Sequence, residues 1–320
     1  MKMGAQREIS MKQLKLFTLV FLMVSSQIIG ETGKYTKNLE VAFPGLQIPE
    51  AWMTNHEPFR VIGNLYGVGG QDLSVFLITS DEGHILVNTA VEGSIKDISA
   101  NIDSLGFSIN DVKVLLSMQS HFDHTADLAL IKELTGAKMY ATKKDAPILE
   151  DGGVSDPHFG GVETFRPIKV DKIIKDGEII SVGSTKLKVH YHPGHTEGSS
   201  SYSMQVEESG KVYDVLIANM GTINPGKKMI VDPTYEGVSE DFAFTYKDQK
   251  MMSVDIWVAA HKSQYGFYDK YQPNQTYDPE TFLDPDGYLD AIEALEIVYI
   301  KLVNAELKQK NSPVGYLYNK

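Results

Sequence analysis

A short run of metal-binding side chains at residues 119–124 constrains this chain more than any other stretch. It reads Gln-Ser-His-Phe-Asp-His, which sets two imidazoles and a carboxylate within one turn of chain. The apolar segment 112–118 before it predicts a buried strand, and segment 125–134 after it predicts an amphipathic helix that is closed by Gly136. The run is therefore expected on the loop leaving the carboxyl end of a strand, where α/β sheets place their ligands.

Two further strand-like segments lead into a histidine. Segment 185–191 runs into His-Pro-Gly-His-Thr-Glu-Gly-Ser, whose second histidine is His195, and segment 254–260 delivers His261. Together with the run at 119–124, three strands therefore end beside a potential ligand. This coincidence predicts that the three segments meet at one site.

The residue types at this predicted site favour zinc. Zinc binds imidazole and carboxylate groups, and catalytic zinc sites keep one position for water. His121, Asp123 and His124 are so close in sequence that they are not expected to reach one ion together. Two ions are more natural, the first taking His121 and the second taking Asp123 and His124. His195 and His261 are then the obvious sources of further ligands.

The order of the remaining signals predicts the α/β (α+β) class. Strand and turn signals alternate over residues 59–88, βα steps follow, strands return after residue 178, and a helix over 287–308 closes the chain. This order is typical of a two-layered β-sandwich flanked by helices. Residues 31–58 are polar and rich in proline, so they are expected to wrap irregularly around the surface. The glycine-rich stretch 151–168 predicts a loop that overhangs a site.

The first 30 residues have the pattern of a secretory signal peptide. Lys12 and Lys15 precede the short apolar run 16–24, and small residues follow, which places cleavage at about residues 26–30. A membrane anchor or a core helix is the alternative, although the run is too short to span a bilayer. Residues 31–320 are then expected to form a single domain.

The composition indicates an exported protein without disulfides. The chain has no cysteine, which excludes a disulfide or a lipoprotein anchor, and this suits a bacterial periplasm. The net charge is −12, and it becomes more negative once the basic leader is removed. Such acidity disfavours nucleic acid and anionic membranes as partners. A monomer without a stable membrane anchor is expected.

The motifs resemble those of the metallo-β-lactamase superfamily. That family carries His-x-His-x-Asp-His after a strand and later His-Pro-Gly-His-Thr-x-Gly-Ser, and here Gln119 stands where the first histidine is expected. The chain after residue 30 is similar to subclass B3 enzymes of the GOB type. Gln119 and Met220 are both typical of that branch. The resemblance implies a four-layered αβ/βα sandwich.

The resemblance also implies two zinc ions. Site one would use Gln119, His121 and His195, and site two would use Asp123, His124 and His261. A neutral amide oxygen binds zinc less well than imidazole does, so site one is expected to hold its ion more weakly.

The implied reaction is hydrolysis of the β-lactam amide in penicillins, cephalosporins and carbapenems by a zinc-bound hydroxide. Asp123 would hold the water and pass a proton. Another hydrolase of the same fold, a lactonase or a thioesterase, is the alternative, followed by a non-catalytic metal-binding protein. The sequence contains no Ser-x-x-Lys, so nothing supports a serine β-lactamase.

Contacts with the substrate are predicted at fewer positions. Thr222 matches a position whose hydroxyl holds the substrate carboxylate in subclass B3, whereas Met220 removes a second such hydroxyl. Lys262 and Tyr265, which follow His261, are weaker candidates. Asn88 and Thr89 are expected to tie the site loops together.

Overall fold

The fold is described from a computed structural model over residues 33–311. The predicted signal peptide at residues 1–30 lies outside these residues, so both the leader and the extent of the mature domain stay predictions. Between residues 33 and 311, no helix is both long and apolar enough to cross a membrane.

Strands and helices alternate along the chain. The strands are β1 (Phe59–Ile62), β2 (Leu65–Gly67), β3 (Phe76–Ile78), β4 (His84–Val87), β5 (Val112–Leu116), β6 (Lys138–Thr142), β7 (Lys172–Ile174), β8 (Ile179–Val182), β9 (Thr185–Tyr191), β10 (Ser200–Glu208), β11 (Lys211–Ala218) and β12 (Ile256–Ala259). The α-helices are α1 (Lys34–Ala42), α2 (Glu50–Met53), α3 (Ile95–Ser104), α4 (Phe122–Thr125), α5 (Leu128–Thr135), α6 (Ala146–Glu150), α7 (Val238–Met251), α8 (Phe267–Lys270) and α9 (Pro285–Asn311), with 3₁₀ turns at Ile109–Asp111 and Lys262–Tyr265.

Two sheets form the centre of the molecule. In the first, strands β1 to β7 lie in sequence order, antiparallel as far as β4 and parallel from β4 to β7. The second has the order β12-β11-β10-β9-β8, with only the β12–β11 pair parallel. Parallel strands need crossover connections, and the helices that supply them cover the outer face of the first sheet.

The cores lie between these layers. Alternate residues of β4 face opposite sides: Ile85 and Val87 pack between the two sheets, whereas Leu86 packs under the helices of the first sheet. On the far side, Phe242 and Tyr246 of α7 cover the second sheet. The order helix, sheet, sheet, helix confirms the predicted αβ/βα sandwich.

The polar N-terminal segment differs from its prediction. Residues 31–58 were expected to be irregular, but α1 and α2 occupy parts of this stretch. Tyr35 and Leu39, four residues apart, are buried against the body of the protein. The prolines at 44, 49 and 58 fall outside both helices, and Pro49 immediately precedes α2, so they do not prevent either helix.

Candidate metal centre

The run at 119–124 lies beyond β5, as predicted, but its second half is helical. His121 precedes the short helix α4, which contains Asp123 and His124. The prediction that these residues lie on a loop was therefore wrong for two of them. The turn is held by Thr125, whose hydroxyl donates to the His121 carbonyl at 2.9 Å, and by Thr89, whose backbone N–H donates to the His124 carbonyl at 2.8 Å.

The expected structural roles of Asn88 and Thr89 are confirmed. Asn88 adopts a left-handed backbone with φ of 66°, and its amide oxygen accepts the Met118 N–H at 2.9 Å. An asparagine tolerates this conformation better than most residues do. Asn88 thereby joins the ends of β4 and β5 just before residues 121–124, which we call the ligand turn.

The three residues predicted for site two converge in the structure. Asp123, His124 and His261 present ligand atoms that all lie within 4.8 Å of one another. Asp123 Oδ2 lies 3.1 Å from His124 Nε2 and 3.4 Å from His261 Nε2. Asp123 and His124 are buried, and His261 is nearly so. A carboxylate and two imidazoles converging in this way are a donor set that zinc accepts.

The state of His124 fits a bound cation. Both of its ring nitrogens are buried, and neither has a hydrogen-bond partner among the described residues. Nε2 approaches Asp123 without hydrogen-bond geometry. Burial lowers the pKa of His124, which favours the neutral form that binds metal. A buried unpaired nitrogen is costly, and a metal ion would satisfy it.

A second carboxylate orients His261. Asp72 Oδ2 lies 3.0 Å from His261 Nδ1, and it also accepts the indole N–H of Trp52 at 3.1 Å. Burial alone would lower the pKa of His261, but hydrogen bonds to Asp123 and Asp72 raise it to about 9. Metal-bound histidines commonly place their other nitrogen on such a carboxylate.

Two of the three predicted ligands of site one face each other. His121 Nδ1 lies 3.1 Å from His195 Nε2, and both rings are buried. Two nitrogens on one tetrahedral zinc at roughly 2.0–2.1 Å would be about 3.3 Å apart. Burial lowers the pKa of His195 well below its ordinary value, so this imidazole is neutral and can serve as a ligand.

The remaining ring nitrogens of site one are held by neighbours. His121 Nε2 lies 3.3 Å from Asp156 Oδ2, and His195 Nδ1 donates to the Thr222 carbonyl at 2.8 Å. Burial raises the pKa of Asp156, but the charge of His121 and backbone donors outweigh it and lower that pKa. These contacts leave His121 Nδ1 and His195 Nε2 to face the centre.

Gln119 is buried beside these rings. Its amide oxygen lies 3.4 Å from the backbone nitrogen of His121, which donates to it. A metal ion at site one would have to compete with this N–H for the oxygen. The role of Gln119 as a ligand stays a prediction.

The loop 151–168 overhangs site one, as predicted. A small cavity at His121 and His195 is also lined by Asp156, His158 and Lys227. His158 lies in the cavity wall, with its ring centre 6.4 Å from that of His121. The ring of the next residue along, a phenylalanine, contacts His121 edge-on at 5.1 Å.

Two charged groups fix the loop that carries His195. The ammonium of Lys227 donates to the carbonyls of Gly194 and His195 at 3.1 and 2.8 Å, and burial lowers its pKa to about 8. Asp145 accepts the Thr196 hydroxyl and the backbone N–H of residue 198, both at 3.0 Å. Burial raises the pKa of Asp145 to about 6.

Of the three predicted substrate contacts, only Thr222 lies beside the proposed metal site. The Thr222 hydroxyl lies 3.1 Å from His195 Nδ1, so it faces a ligand ring, and a contact with substrate stays a prediction. Lys262 and Tyr265 are buried in the core, which makes them wrong as substrate contacts. The Lys262 ammonium instead lies 4.4 Å from the centre of the Phe267 ring.

Sequence reasoning missed both orienting carboxylates. Asp72 looked like a turn residue in Gly-Gly-Gln-Asp, and Asp156 lies within the glycine-rich loop. The acidic character of Asp156 inside a loop that overhangs the site was a usable signal. Asp72 offered none, because its place beside His261 depends on pairing between segments almost 190 residues apart.

Comparison with known proteins agrees with this architecture. Residues 68–208 match the family model described as the metallo-beta-lactamase superfamily. Among solved structures, a beta-lactamase from Chitinophaga pinensis is 40% identical with a TM-score of 0.79, and the match covers 81% of this chain and 98% of that one. The metallo-beta-lactamase GOB-18 from Elizabethkingia meningoseptica is 39% identical, also with a TM-score of 0.79, and 81% and 97% of the two chains are covered.

Two further relatives are a class B3 enzyme and a hydrolase that matches only in part. The class B3 di-zinc metallo-beta-lactamase LRA-12 from an Alaskan soil metagenome is 41% identical with a TM-score of 0.78, covering 81% of this chain and 98% of that one. A hydroxyacylglutathione hydrolase from Maricaulis maris is 32% identical over 116 residues, which is 36% of this chain and only 37% of that protein. Family motif, fold and ligand geometry agree, and the chain belongs to the metallo-β-lactamase superfamily of hydrolases, with subclass B3 enzymes among its structural relatives.

Proposed function

We propose that this protein is an exported zinc β-lactamase that hydrolyses penicillins, cephalosporins and carbapenems. The observation that carries the proposal is the convergence of Asp123, His124 and His261 beside the facing pair of His121 and His195. Five of the six proposed ligands thus lie in two adjacent groups, and subclass B3 di-zinc enzymes are among the structural relatives. Zinc in one or both sites, the substrate range and a role in resistance are parts of the proposal.

The two sites divide the work. Gln119, His121 and His195 would hold one zinc ion, and Asp123, His124 and His261 the other. A zinc ion lowers the pKa of bound water to roughly 7 and acts as a Lewis acid, which supplies a nucleophile at neutral pH.

Asp123 is the candidate for handling the proton. Its carboxylate is almost completely buried and faces His124 and His261. Burial opposes ionisation, but the two imidazoles outweigh it and hold the pKa of Asp123 well below its usual range. Asp123 Oδ2 is therefore an ionised acceptor, able to orient water and to take its proton during attack on the lactam carbonyl.

Thioester hydrolysis is the second candidate function. The partial match to a hydroxyacylglutathione hydrolase favours it. Against it stands Met220, which is buried in the core and is typical of the GOB-type branch that the sequence resembles. The B3-like structures also match nearly their whole length, unlike the thioesterase.

One set of assays separates these functions. The purified protein should hydrolyse a penicillin, a cephalosporin and a carbapenem, lose this activity on chelation and recover it with zinc. A glutathione thioester, tested in parallel, should be a poor substrate. Thioester turnover without β-lactam turnover would replace the proposal by its alternative, and no zinc-dependent turnover of any β-lactam would overturn it.

Export to the periplasm rests on the leader at residues 1–30 and on the absence of cysteine from the sequence. Fractionation of cells that produce the full chain tests it. Recovery of a shortened chain in the periplasmic fraction is expected, and a full-length cytoplasmic product would contradict it.

A further inference from the structure

The C-terminal helix α9 carries apolar side chains on a face that no described residue covers. Its inner face is docked: Tyr288 and Ile292 are buried, and the Tyr299 hydroxyl donates to the Ser239 carbonyl at 2.9 Å. Near its end, the Glu306 carboxylate accepts backbone N–H groups from a neighbouring loop. The helix is therefore held in one orientation, which fixes the direction of its outer face.

Four large apolar residues lie along that outer face. Leu289, Ile297, Ile300 and Leu307 are 38%, 50%, 47% and 38% exposed. Their spacings of eight, three and seven residues place them on one side of an α-helix, and we call them the outer stripe. Val298 is also exposed but lies on a different side. Exposed apolar residues that line up in this way are typical of an interaction surface.

The stripe is nearly symmetric along the helix. Its midpoint lies between Ile297 and Ile300, and Leu289 and Leu307 lie at similar distances before and after it. If two such helices pack antiparallel about a twofold axis at this midpoint, Ile297 of each faces Ile300 of the other. The two leucines pair in the same way. A twofold interface requires such self-complementarity.

The charges along the helix are complementary in the same antiparallel arrangement. The first part carries Asp286, Asp290 and Glu293, and basic residues, including Lys301 and Lys310, follow the stripe's midpoint. Antiparallel packing sets the acidic part of one helix against the basic part of the other, whereas parallel packing sets like charges together. Acidic groups beside the stripe also disfavour an anionic membrane as its occupant.

We propose that the outer stripe of α9 binds a second copy of this chain, giving a twofold-symmetric dimer with antiparallel C-terminal helices in place of the monomer expected from the sequence. The metal sites are built from the ligand turn and from the ends of β9 and β12, none of which belongs to the stripe. The two chains therefore act independently, and dimerisation adds an interface without completing a site.

Sedimentation equilibrium of the purified protein tests the dimer. The parent should show a mass of two chains that falls on dilution. I297E and I300K should each raise the dimer dissociation constant more than about tenfold, because each buries an unpaired charge in an apolar contact. V298E, equally exposed but outside the stripe, is the matched control and should still dimerise.

Mixing the two variants tests the register. In an antiparallel pair, the glutamate of I297E faces the lysine of I300K at one contact, and two isoleucines meet at the other. The mixture should therefore form a heterodimer, whereas each variant alone should stay monomeric. An unchanged melting temperature and zinc content would show that the variants are folded. A monomeric parent, dimers that survive both substitutions, or a mixture that stays monomeric would each overturn the proposal.

Discussion

The two proposed metal sites share one turn of chain but differ in how completely the protein assembles them. At site two, Asp123, His124 and His261 converge, and His124 has no other partner among the described residues. At site one, His121 and His195 face each other, but the oxygen of Gln119 is held by a backbone N–H. Site two supplies a carboxylate and three ligand groups already in place, whereas site one relies on two imidazole rings and an amide whose oxygen already accepts a hydrogen bond.

This difference suggests an order of metal affinity. A buried carboxylate attracts a divalent cation far more strongly than an amide oxygen does, and ligands already in place lose little entropy on binding. Each site nevertheless has one orienting carboxylate, Asp72 for site two and Asp156 for site one. Each site therefore has one orienting carboxylate, but the ligands of the two sites differ in charge. Substitutions can test the ligands and the orienting carboxylates separately.

The largest effect is expected at Asp123. Replacing it by alanine removes the anionic ligand of site two and the proton acceptor together. We expect turnover of β-lactams to fall by roughly 10³-fold and the bound zinc to fall at site two. Steady-state kinetics with metal analysis measures both. Retention of full zinc content and activity in D123A would show that site two does not depend on its carboxylate.

The orienting carboxylates should have intermediate and separable effects. Each of D72N and D156N is expected to lower zinc affinity by about 10- to 100-fold, the first at site two and the second at site one. Competition with a chromophoric chelator measures the two affinities. D214N is the control, because Asp214 pairs with Gln205 and Ser253 away from both sites. Equal weakening of both sites by either variant would contradict the separation.

Substitution at Gln119 should reduce the difference in zinc affinity between the two proposed sites. Q119H supplies an imidazole where the amide stands, and we expect about tenfold tighter zinc binding at site one, because imidazole is the better ligand. Q205H, which places the same change on the exposed part of β10, should leave the affinity unaltered. An unchanged zinc stoichiometry in Q119H would mean that residue 119 does not limit site one.

The smallest effect is a pH dependence of the metal-free protein. The raised pKa of His261 means that its protonated form, lying between Asp123 and Asp72, stabilises the fold. This contribution is fully present below pH 6.5 and is lost as the pH rises through about 9, with a size of at most about 3 kcal/mol. Melting temperatures of the chelated protein should therefore fall over this interval. H261Q should show a flatter profile, and the same slope in both would exclude His261 as the source.

Sequence reasoning identified the proposed ligands better than it identified their surroundings. Spacing alone brought out His121, Asp123 and His124, because ligands within one turn need no knowledge of the fold. The strand-like segments that end at a histidine added His195 and His261, and the family motif added Gln119. Local reasoning was less successful where tertiary packing decides: α1 forms because Tyr35 and Leu39 find a core to enter, although the segment is polar.

The orienting groups show why the rest was hidden. The Asp72 carboxylate reaches His261 because Leu73 pairs with His261 in a bridge and the Asp72 carbonyl accepts the Lys262 N–H at 2.7 Å. No local pattern encodes a contact of that range. Lys262 was wrongly predicted to contact substrate because it is next to His261 in the sequence. His261 faces the proposed metal site, but the 3₁₀ turn that follows directs the lysine into the core.

The ligand turn limits how the two proposed metal sites can change independently of each other. His121 at its start and Asp123 and His124 within it belong to one short rigid body, pinned by Thr89 and Thr125. A tilt of this body would displace ligands of both ions at once. Independent adjustment of either ion must therefore come from residues outside it, at Gln119, His195 and His261. Sequence change at these three positions can tune one metal at a time, whereas a change that shifts the turn disturbs both.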